Sequence, residues 1–446
     1  MTTKNKLILS PYTLIMMVGP SCCGKSRMAG WISEQIRVNM DMTSVVISSD
    51  DLRRELLCDS TIHKMSPKMM PVSKEAFTLL EVKIALHATF PVNTKFIFVD
   101  STGLDSALRM RVNELAKANG YNTQLIVFDL SNEELMMNVA ECGGIPSVSL
   151  KHQKALEKNV LPNISDKYWD LITIVKSRAD ALDLSTNITF TNNTSVFMAE
   201  EETFAVIGDV HECVPELDDL IKKIPKEAAL FFIGDLFDKG DNTKGMLDYM
   251  SDLCDKRNVW MLKGNHENYV IRRLKKEISS NFEIEKSFMT SVNYFLDNPE
   301  DRDKFLLLAQ KMRNQIHIER EHHKDVYLTH APCENKYLGK NTNSALKAQV
   351  NFRFRERGMA KMQEELSFIE KEANNGHPYH VFGHVATEAN GPHIMKNKIW
   401  LDTGCVHGNR LSAIVFRPDG TTMNYTVKST HEKNDVLFQF APVSTL

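Results

Sequence analysis

The chain has no CxxC pair. Its 8 cysteines are scattered over 446 residues, so they read as reduced thiols in a cytosol-like compartment, the host cytoplasm if the source is a virus. No apolar run approaches the roughly 18 residues that a membrane helix needs, so no membrane partner is expected. Strong charge of one sign is also missing. The formal net charge is −3, and a field that weak does not announce a nucleic-acid binder. Any such contact must come from local patches. No internal repeat is visible. Lys4-Asn5-Lys6 followed by Leu7-Ile8-Leu9 hints at a signal peptide, but Pro11 interrupts it and the next apolar run leads into a phosphate loop instead of a cleavage site. The length allows two or three domains with full cores.

What is present centres on the stretch from Gly208 to Glu267. Three polar blocks, Gly208-Asp-Val-His-Glu212, Gly234-Asp-Leu-Phe-Asp-Lys-Gly240 and Gly264-Asn-His-Glu267, each follow an apolar run: Phe204 to Ile207, Leu230 to Ile233, and Val259 to Leu262. Three parallel strands are expected to deliver these loops to one sheet edge, where open α/β sheets bind ligands. Asp209 and His211 supply one oxygen and one nitrogen ligand. Asp235 can bridge two ions, Asn265 adds an amide oxygen, and His266 lies beside it. Further on, His330, His384 and Asp402 each follow another apolar run. Mixed carboxylate, amide and imidazole ligands suit Mn, Fe, Ni or Zn in higher coordination better than a thiolate-type zinc site. Two ions bridged by a carboxylate, roughly 3.5–4 Å apart, can attack phosphorus in line. The plainer alternative makes the GD and GN pairs simple strand-end turns.

Near the start, the apolar run Tyr12 to Val18 precedes Gly19-Pro-Ser21-Cys-Cys-Gly24-Lys25-Ser26, and a helical pattern follows. This is GxxxxGKS in strand–loop–helix context. Loop N–H groups would hold the β-phosphate of ATP, Lys25 would reach the β- and γ-phosphates, and Ser26 would bind Mg²⁺. The next strand, Ser44 to Ile47, ends in Ser48-Ser-Asp50-Asp-Leu-Arg53. Asp50, across the cleft from a phosphate loop, is placed to take a proton from an incoming hydroxyl. Arg53, one helical turn on, could hold an acceptor phosphate. The alternative is an ordinary helix start with Asp50 as N-cap. Phe96 to Val99 ends in Asp100-Ser-Thr-Gly103, and Gln124 to Phe128 and Leu171 to Val175 read as further strands.

The metal-type set resembles the binuclear metallophosphoesterase superfamily, with its GDxH, GDxxDRG, GNHE and single histidines. The stretch from Asp402 to Ala413, DTGCVHGNRLSA, is similar to a block in bacterial polynucleotide kinase-phosphatases and in bis(5′-nucleosyl)-tetraphosphatases. This resemblance implies Asp209, His211, Asp235, Asn265, His330 and His384 as ligands, His266 as general acid and Asp238 as the carboxylate that orients it. Two positions depart from the pattern. Lys239 replaces an arginine, so it can neutralise a phosphate oxygen but not bidentately. Ala386 replaces a histidine, which makes Asp402 the candidate to complete that ion's shell. The N-terminal half resembles polynucleotide 5′-kinases. Asp50 then matches the general base, Arg53 the contact to the phosphate next to the reacting 5′-hydroxyl, and Asp100 a Mg²⁺ holder through water. The family's lid arginines are absent. Asn138 to Gly144 stands in their place, with Lys151, Lys154 or Arg109 as substitutes.

The expected fold class is α/β: a P-loop kinase domain with a parallel sheet over residues 1–182, a linker over 183–202 and a metallophosphoesterase sandwich with helical insertions over 203–446. The basic residues of those insertions, among them Arg272, Arg273, Arg320, Arg353, Arg355 and Arg357, read mostly as solvated helix faces. The expected function is end-healing of RNA, with DNA also open. ATP with Mg²⁺ would phosphorylate 5′-hydroxyl ends, and two divalent ions such as Mn²⁺ or Ni²⁺ would serve removal of 3′-phosphate or 2′,3′-cyclic phosphate. The resemblance implies a separate ligase downstream, and a homodimer stays open. The alternatives are a tetraphosphatase or a Ser/Thr-type protein phosphatase with an N-terminal nucleotide sensor, and a scaffold that binds nucleic acid by patches.

Overall fold

In the computed structural model, residues 7–40, 42–63, 66–164, 168–190, 195–199, 201–287, 289–355 and 358–432 are described. The chain divides into two compact units, residues 1–193 with 340–342, and residues 194–339 with 343–446.

The first unit is built on strands β1 (Leu7–Leu9), β2 (Thr13–Val18), β3 (Ser44–Ser48), β4 (Phe96–Asp100), β5 (Asn122–Phe128), β6 (Leu171–Val175) and β7 (Ile188–Phe190). Five of them form a parallel sheet in the order β3-β4-β2-β5-β6. The central strand β2, TLIMMV, is buried at every position, as a parallel strand covered on both faces must be. Helices α1 (Lys25–Met40), α2 (Ser49–Leu56), α3 (Ser73–Ala88), α4 (Ser106–Ala118), α5 (Asn132–Cys142), α6 (Pro146–Ala155) and α7 (Arg178–Thr186) connect them. Two apolar clusters cover the two faces. Leu14, Met16, Val18, Ile97 and Val99 point into one, and Ile15, Met17, Phe96 and Phe98 into the other. In register, Asp100 lies beside Met17 on one side and Ser48 on the other. The phosphate loop, the Asp50 turn and Asp100 therefore share one sheet edge.

The second unit has two sheets. Strands β8 (Ser195–Phe197), β9 (Phe204–Ile207), β10 (Ala229–Phe232), β11 (Val259–Met261), β12 (Gln315–Glu319), β13 (Val326–Thr329), β14 (Tyr379–Phe382), β15 (His393–Met395), β16 (Lys398–Trp400), β17 (Arg410–Phe416) and β18 (Thr422–Lys428) pair as β11-β10-β9-β17-β18 and as β15-β16-β14-β13-β12-β8. As expected, β9, β10 and β11 are parallel. In the second sheet β13, β14 and β16 are parallel too. The sheets pack face to face through Val206, Phe231, Ile233, Leu328, Val381 and Leu401. Helices α8 (Val214–Lys223), α9 (Thr243–Lys256) and α10 (Asn265–Leu274) follow β9, β10 and β11, and α8 and α9 cover the outer face of the first sheet. The helix Met359–Lys371 covers the second sheet over Phe382 and Trp400. The molecule is thus mixed α/β, a P-loop kinase-like unit followed by a metallophosphoesterase-type sandwich.

Residues 183–202, expected as a linker, supply paired strands. Leu7–Leu9, met in sequence as part of a possible leader, pairs in parallel with Ile188–Phe190. Ser195–Phe197 pairs with His317–Glu319. These strands were hidden because each is only three residues long, and the two within 183–202 lie in a segment of mostly polar composition. Among the described residues, no helix is long and apolar enough to cross a membrane. Arg357 and the last fourteen residues lie outside the described residues.

Candidate functional sites in the two units

In the second unit the site is assembled from strand ends of both sheets. Asp209, Asp235 and Asn265 follow β9, β10 and β11. His330, His384 and Asp402 follow β13, β14 and β16. Two glycines permit the close approach. A methyl group at Gly264 would overlap Asp235 Oδ1, and one at Gly383 would overlap Asp209 Oδ1. His211, Glu212, Asp235, Asp238, Lys239 and His384 all adopt left-handed backbone conformations, with φ from 48° to 72°. Six such side-chain-bearing residues in one cluster hold stored strain that the surrounding fold must support, as functional sites commonly do.

Asp235 is the hub. Its Oδ2 lies 3.6 Å from His211 Nε2, 3.8 Å from His266 Nε2 and 3.3 Å from His330 Nε2. His211, Asp235 and His266 each present a donor atom within 4.8 Å of the others, and so do Asp235, His330 and His384. His330 Nε2 also lies 3.0 Å from Asn265 Oδ1 and 3.2 Å from His384 Nδ1. His384 N–H donates to Asp209 Oδ2 at 3.1 Å. Burial raises the Asp209 carboxyl well above its usual range, and the charge of Asp402 adds to that rise. Asp402 is raised by burial to about 6. Burial would also raise Asp235, but His330, His266 and His211 hold it well below. Burial pushes His384 down to about 3 and His211 well below its ordinary value. These two imidazoles are therefore neutral, the form that binds metal.

Asp209 and Asp402, raised chiefly by burial, beside the neutral His211 and His384 form a donor set that a divalent cation relieves. The residues therefore fit a pair of ions sharing Asp235. Asp209, His211, Asp235 and Asp402 could hold one ion, and Asp235, Asn265, His330 and His384 the other. Lys239 Nζ sits 3.0 Å from His211 Nε2. His266 Nδ1 lies 3.1 Å from Asp238 Oδ2, and Asp238 Oδ1 accepts from Ser291 N at 2.8 Å and Oγ at 2.5 Å.

Sequence reasoning left three supports without a role. Glu267 accepts the backbone N–H groups of Asp235, Leu236 and Phe237 and that of Gly264. Its place three residues after Gly264, at N3 of α10, is a capping-box position and was the available signal. Glu212 binds Asp238 N, Asn242 N and Thr243 Oγ1. The carbonyl of Phe352 accepts from His384 Nε2 at 2.8 Å, which no local pattern announces. Arg272 pairs with Glu277 on an exposed face, whereas Arg273 and Glu285 pair in a largely buried contact, unlike the solvated helix face expected.

In the first unit, Gly19 to Ser26 curls between β2 and α1, with left-handed φ at Gly19 and Gly24. A Cβ at Gly19 would stand 2.9 Å from that of Phe128. Lys25 is buried and donates to the carbonyls of Gly19 (3.0 Å) and Pro20 (2.5 Å). Asp100 is pushed up by burial, opposed by Lys25 and by a hydrogen bond with Ser26. The Ser26 hydroxyl and Asp100 are thus adjacent, and could hold Mg²⁺ together. Ser48, not Asp50, caps α2 by accepting from Asp51 N at 3.4 Å. Asp50 is free of that duty and pairs with Arg53 Nη1 at 2.9 Å, while Arg53 Nε donates to Ser73 Oγ at 3.1 Å. A cavity of about 720 Å³ opens beside the loop, lined by Lys25, Ser26, Trp31, Asn138 and Arg178.

Two expectations for this unit need correction. Arg109 is no lid substitute, because it is buried with its guanidinium on the Gly103 carbonyl at 2.6 Å. The side chain of α6 that reaches the phosphate loop is His152, with Nδ1 3.0 Å from Ser21 Oγ. Nor are all eight cysteines free thiols. Cys22 of the phosphate loop is disulfide-bonded to Cys142 at the end of α5, and the other six are unpaired. With a sequence separation of 120 residues, only the return of α5 over the loop brings them together.

Comparison with known proteins matches residues 202–388 to the calcineurin-like phosphoesterase family and residues 14–147 to the AAA domain. A bis(5′-nucleosyl)-tetraphosphatase PrpE (asymmetrical) of Oceanobacillus iheyensis is 24% identical over 232 residues, 47% of this chain and 87% of its own length. Among solved structures, a cold-active protein-tyrosine phosphatase of a psychrophilic Shewanella is 17% identical with a TM-score of 0.33, covering 52% of this chain and 82% of its own. The APS kinase CysC of Mycobacterium tuberculosis is 16% identical with a TM-score of 0.27, covering 39% of this chain and 94% of its own.

Proposed function

We propose that the chain heals broken nucleic-acid ends, phosphorylating a 5′-hydroxyl in its first unit and removing a 3′-phosphate or opening a 2′,3′-cyclic phosphate in its second. The observation that carries the reading is the pairing of two chemistries in one chain. Asp235 belongs to two donor clusters, while Ser26 and Asp100 meet at the phosphate loop with Asp50 on the next strand end. One site adds a phosphoryl group and the other removes one, and a strand break with a 5′-hydroxyl and a 3′-phosphate needs both. RNA is the first substrate to try. A nucleic-acid ligase activity would then seal the ends.

In the first unit, loop N–H groups and Lys25 would hold the β- and γ-phosphates of ATP, and Ser26 with Asp100 would hold Mg²⁺. Asp50 takes the proton of the 5′-hydroxyl. Arg53 keeps Asp50 oriented and exchanges part of that contact for the neighbouring substrate phosphate. In the second unit, Asp209, His211, Asp235, Asn265, His330, His384 and Asp402 would hold two divalent cations, which would supply positive charge at the phosphoryl oxygens while water displaces the leaving oxygen. Lys239 adds a further positive charge there. His266, oriented through Nδ1 by Asp238, protonates the leaving oxygen from Nε2.

A second reading, asymmetric cleavage of bis(5′-nucleosyl) tetraphosphates with the first unit as a nucleotide sensor, draws on the name of the Oceanobacillus relative. One experiment separates the two. An RNA oligonucleotide bearing a 5′-hydroxyl and a 3′-phosphate is incubated with protein, ATP, Mg²⁺ and Mn²⁺, then digested so that each end is weighed separately. Phosphate gained at the 5′ end and lost at the 3′ end supports healing. Unchanged ends alongside rapid cleavage of a dinucleoside tetraphosphate replace it with the second reading.

A further inference from the structure

A second group of metal-type side chains shares no residue with the Asp235 cluster. Cys213 is the N-cap of α8, and Glu216, three residues on, lies in its first turn. Residues three apart face the same side of a helix. His431 comes from the chain just after β18. A donor atom from each of the three lies within 4.8 Å of the other two.

The second observation is the state of Glu216. Its side chain is buried, with 1% of the residue exposed. Oε1 is fully engaged, accepting Thr430 N at 2.7 Å and Thr430 Oγ1 at 2.6 Å. Oε2 is buried with no hydrogen-bond partner among the described residues. Leaving a buried carboxylate oxygen unsatisfied is costly, and a cation between it, the Cys213 sulfur and the His431 imidazole would satisfy it. Cys213 is buried and unpaired by disulfide, and the Cys405 sulfur lies within hydrogen-bonding reach of it. His431 is exposed, so an ion can enter from solvent.

We propose that Cys213, Glu216 and His431 bind one Zn²⁺, which with the Thr430 hydrogen bonds fastens the chain leaving β18 onto the first turn of α8. One thiolate, one imidazole and one carboxylate select zinc over Mg²⁺ or Mn²⁺, with solvent as the fourth ligand. This ion is distinct from any held around Asp235, where every candidate ligand is oxygen or nitrogen. The thiolate also makes the site separately visible.

The test uses the whole 446-residue chain, stripped by chelator, kept reduced with a phosphine and titrated with Co²⁺ alone. Sulfur ligation gives a thiolate-to-cobalt charge-transfer band in the near ultraviolet, which the oxygen and nitrogen ligands around Asp235 cannot produce. The expected result is one equivalent of cobalt with this band, displaced by zinc and retained in Asp209→Ala. Cys213→Ser abolishes the band. His431→Ala, at an exposed position that folding tolerates, weakens the affinity read from it at least about tenfold. Absence of the band in the wild-type protein at saturating cobalt, its survival in Cys213→Ser, or an unchanged affinity in His431→Ala overturns the proposal.

Discussion

The two units handle phosphate with opposite constructions. In the first, the anion-binding element is one uninterrupted octapeptide between a strand and a helix, and its work falls to backbone N–H groups. In the second, nothing contiguous suffices. Seven ligand candidates, His211 sharing its loop with Asp209, follow six strands drawn from two sheets, and their loops need six left-handed residues braced by Glu212 and Glu267. Exposure follows the same division. The Asp50 side chain is 42% exposed, open to a large acceptor, whereas Asp235 is 1% and His330 0% exposed. A site made of backbone tolerates solvent, because its donors are fixed by the turn itself. A site made of converging charges must be buried and braced, because only desolvation and mutual repulsion make it avid for cations.

The sharpest way to break this contrast is Asp235→Asn. Removing the shared carboxylate is expected to lower phosphatase turnover by about 10³-fold or more, the upper scale for losing one charge stabiliser in a desolvated site, while 5′-phosphorylation continues. Equal loss of both activities would show that the units are not chemically independent. Lys25→Ala provides the mirror image. ATP-dependent 5′-phosphorylation should fall by roughly 10²–10³-fold with 3′-phosphate removal unchanged, measured on the same oligonucleotide.

Next in size is His266→Ala. General-acid loss costs about 10²-fold or more on a ribose 3′-phosphate, and much less on an aryl phosphate whose leaving group needs no proton. An equal loss on both substrates would reassign His266 from proton donor to metal ligand. The smallest expected effect is thermodynamic. Burial raises Asp402 to about 6 and Glu267 to about 7. Groups raised in the folded state stabilise it fully below their unfolded values and lose that contribution as pH rises through the folded ones. The contribution of Asp402 should therefore be lost as pH climbs from about 4 to about 6, read as a chelated wild-type thermal midpoint that falls relative to Asp402→Asn, a difference in which the opposite-signed terms of the depressed His211 and His384 cancel. A difference that stays flat over that interval without metal would contradict the burial-driven shift.

The strands were largely legible. Leu171–Val175 and Phe204–Ile207 have the bounds their apolar runs suggest, and β9, β10 and β11 pair in parallel. The phosphate loop was legible because its function is a local backbone shape written in adjacent residues. His152 was not, since nothing near Pro146 says that α6 returns to Ser21. The Cys22–Cys142 bond was missed because its ends have a sequence separation of 120 residues, and cysteine spacing carries no information about that closure. The strands within residues 183–202 were masked by polar composition. Asp402 could be suspected from the missing histidine at Ala386, but only the pairing of β16 beside β14 brings its carboxylate to Asp209.

Sequence by itself determined the chemistry available: a phosphate loop with its lysine and serine, three acid- or amide-bearing turns at strand ends, and lone histidines after apolar runs. It could do so because turn residues and strand periodicity act over a few positions. Tertiary structure alone decided which of these meet. It placed a second sheet opposite the first so that His330, His384 and Asp402 close on Asp209, Asp235 and Asn265. Strand pairing and the apolar packing between the sheets fix neighbours that lie far apart along the chain, and burial at that seam sets the charge of each ligand.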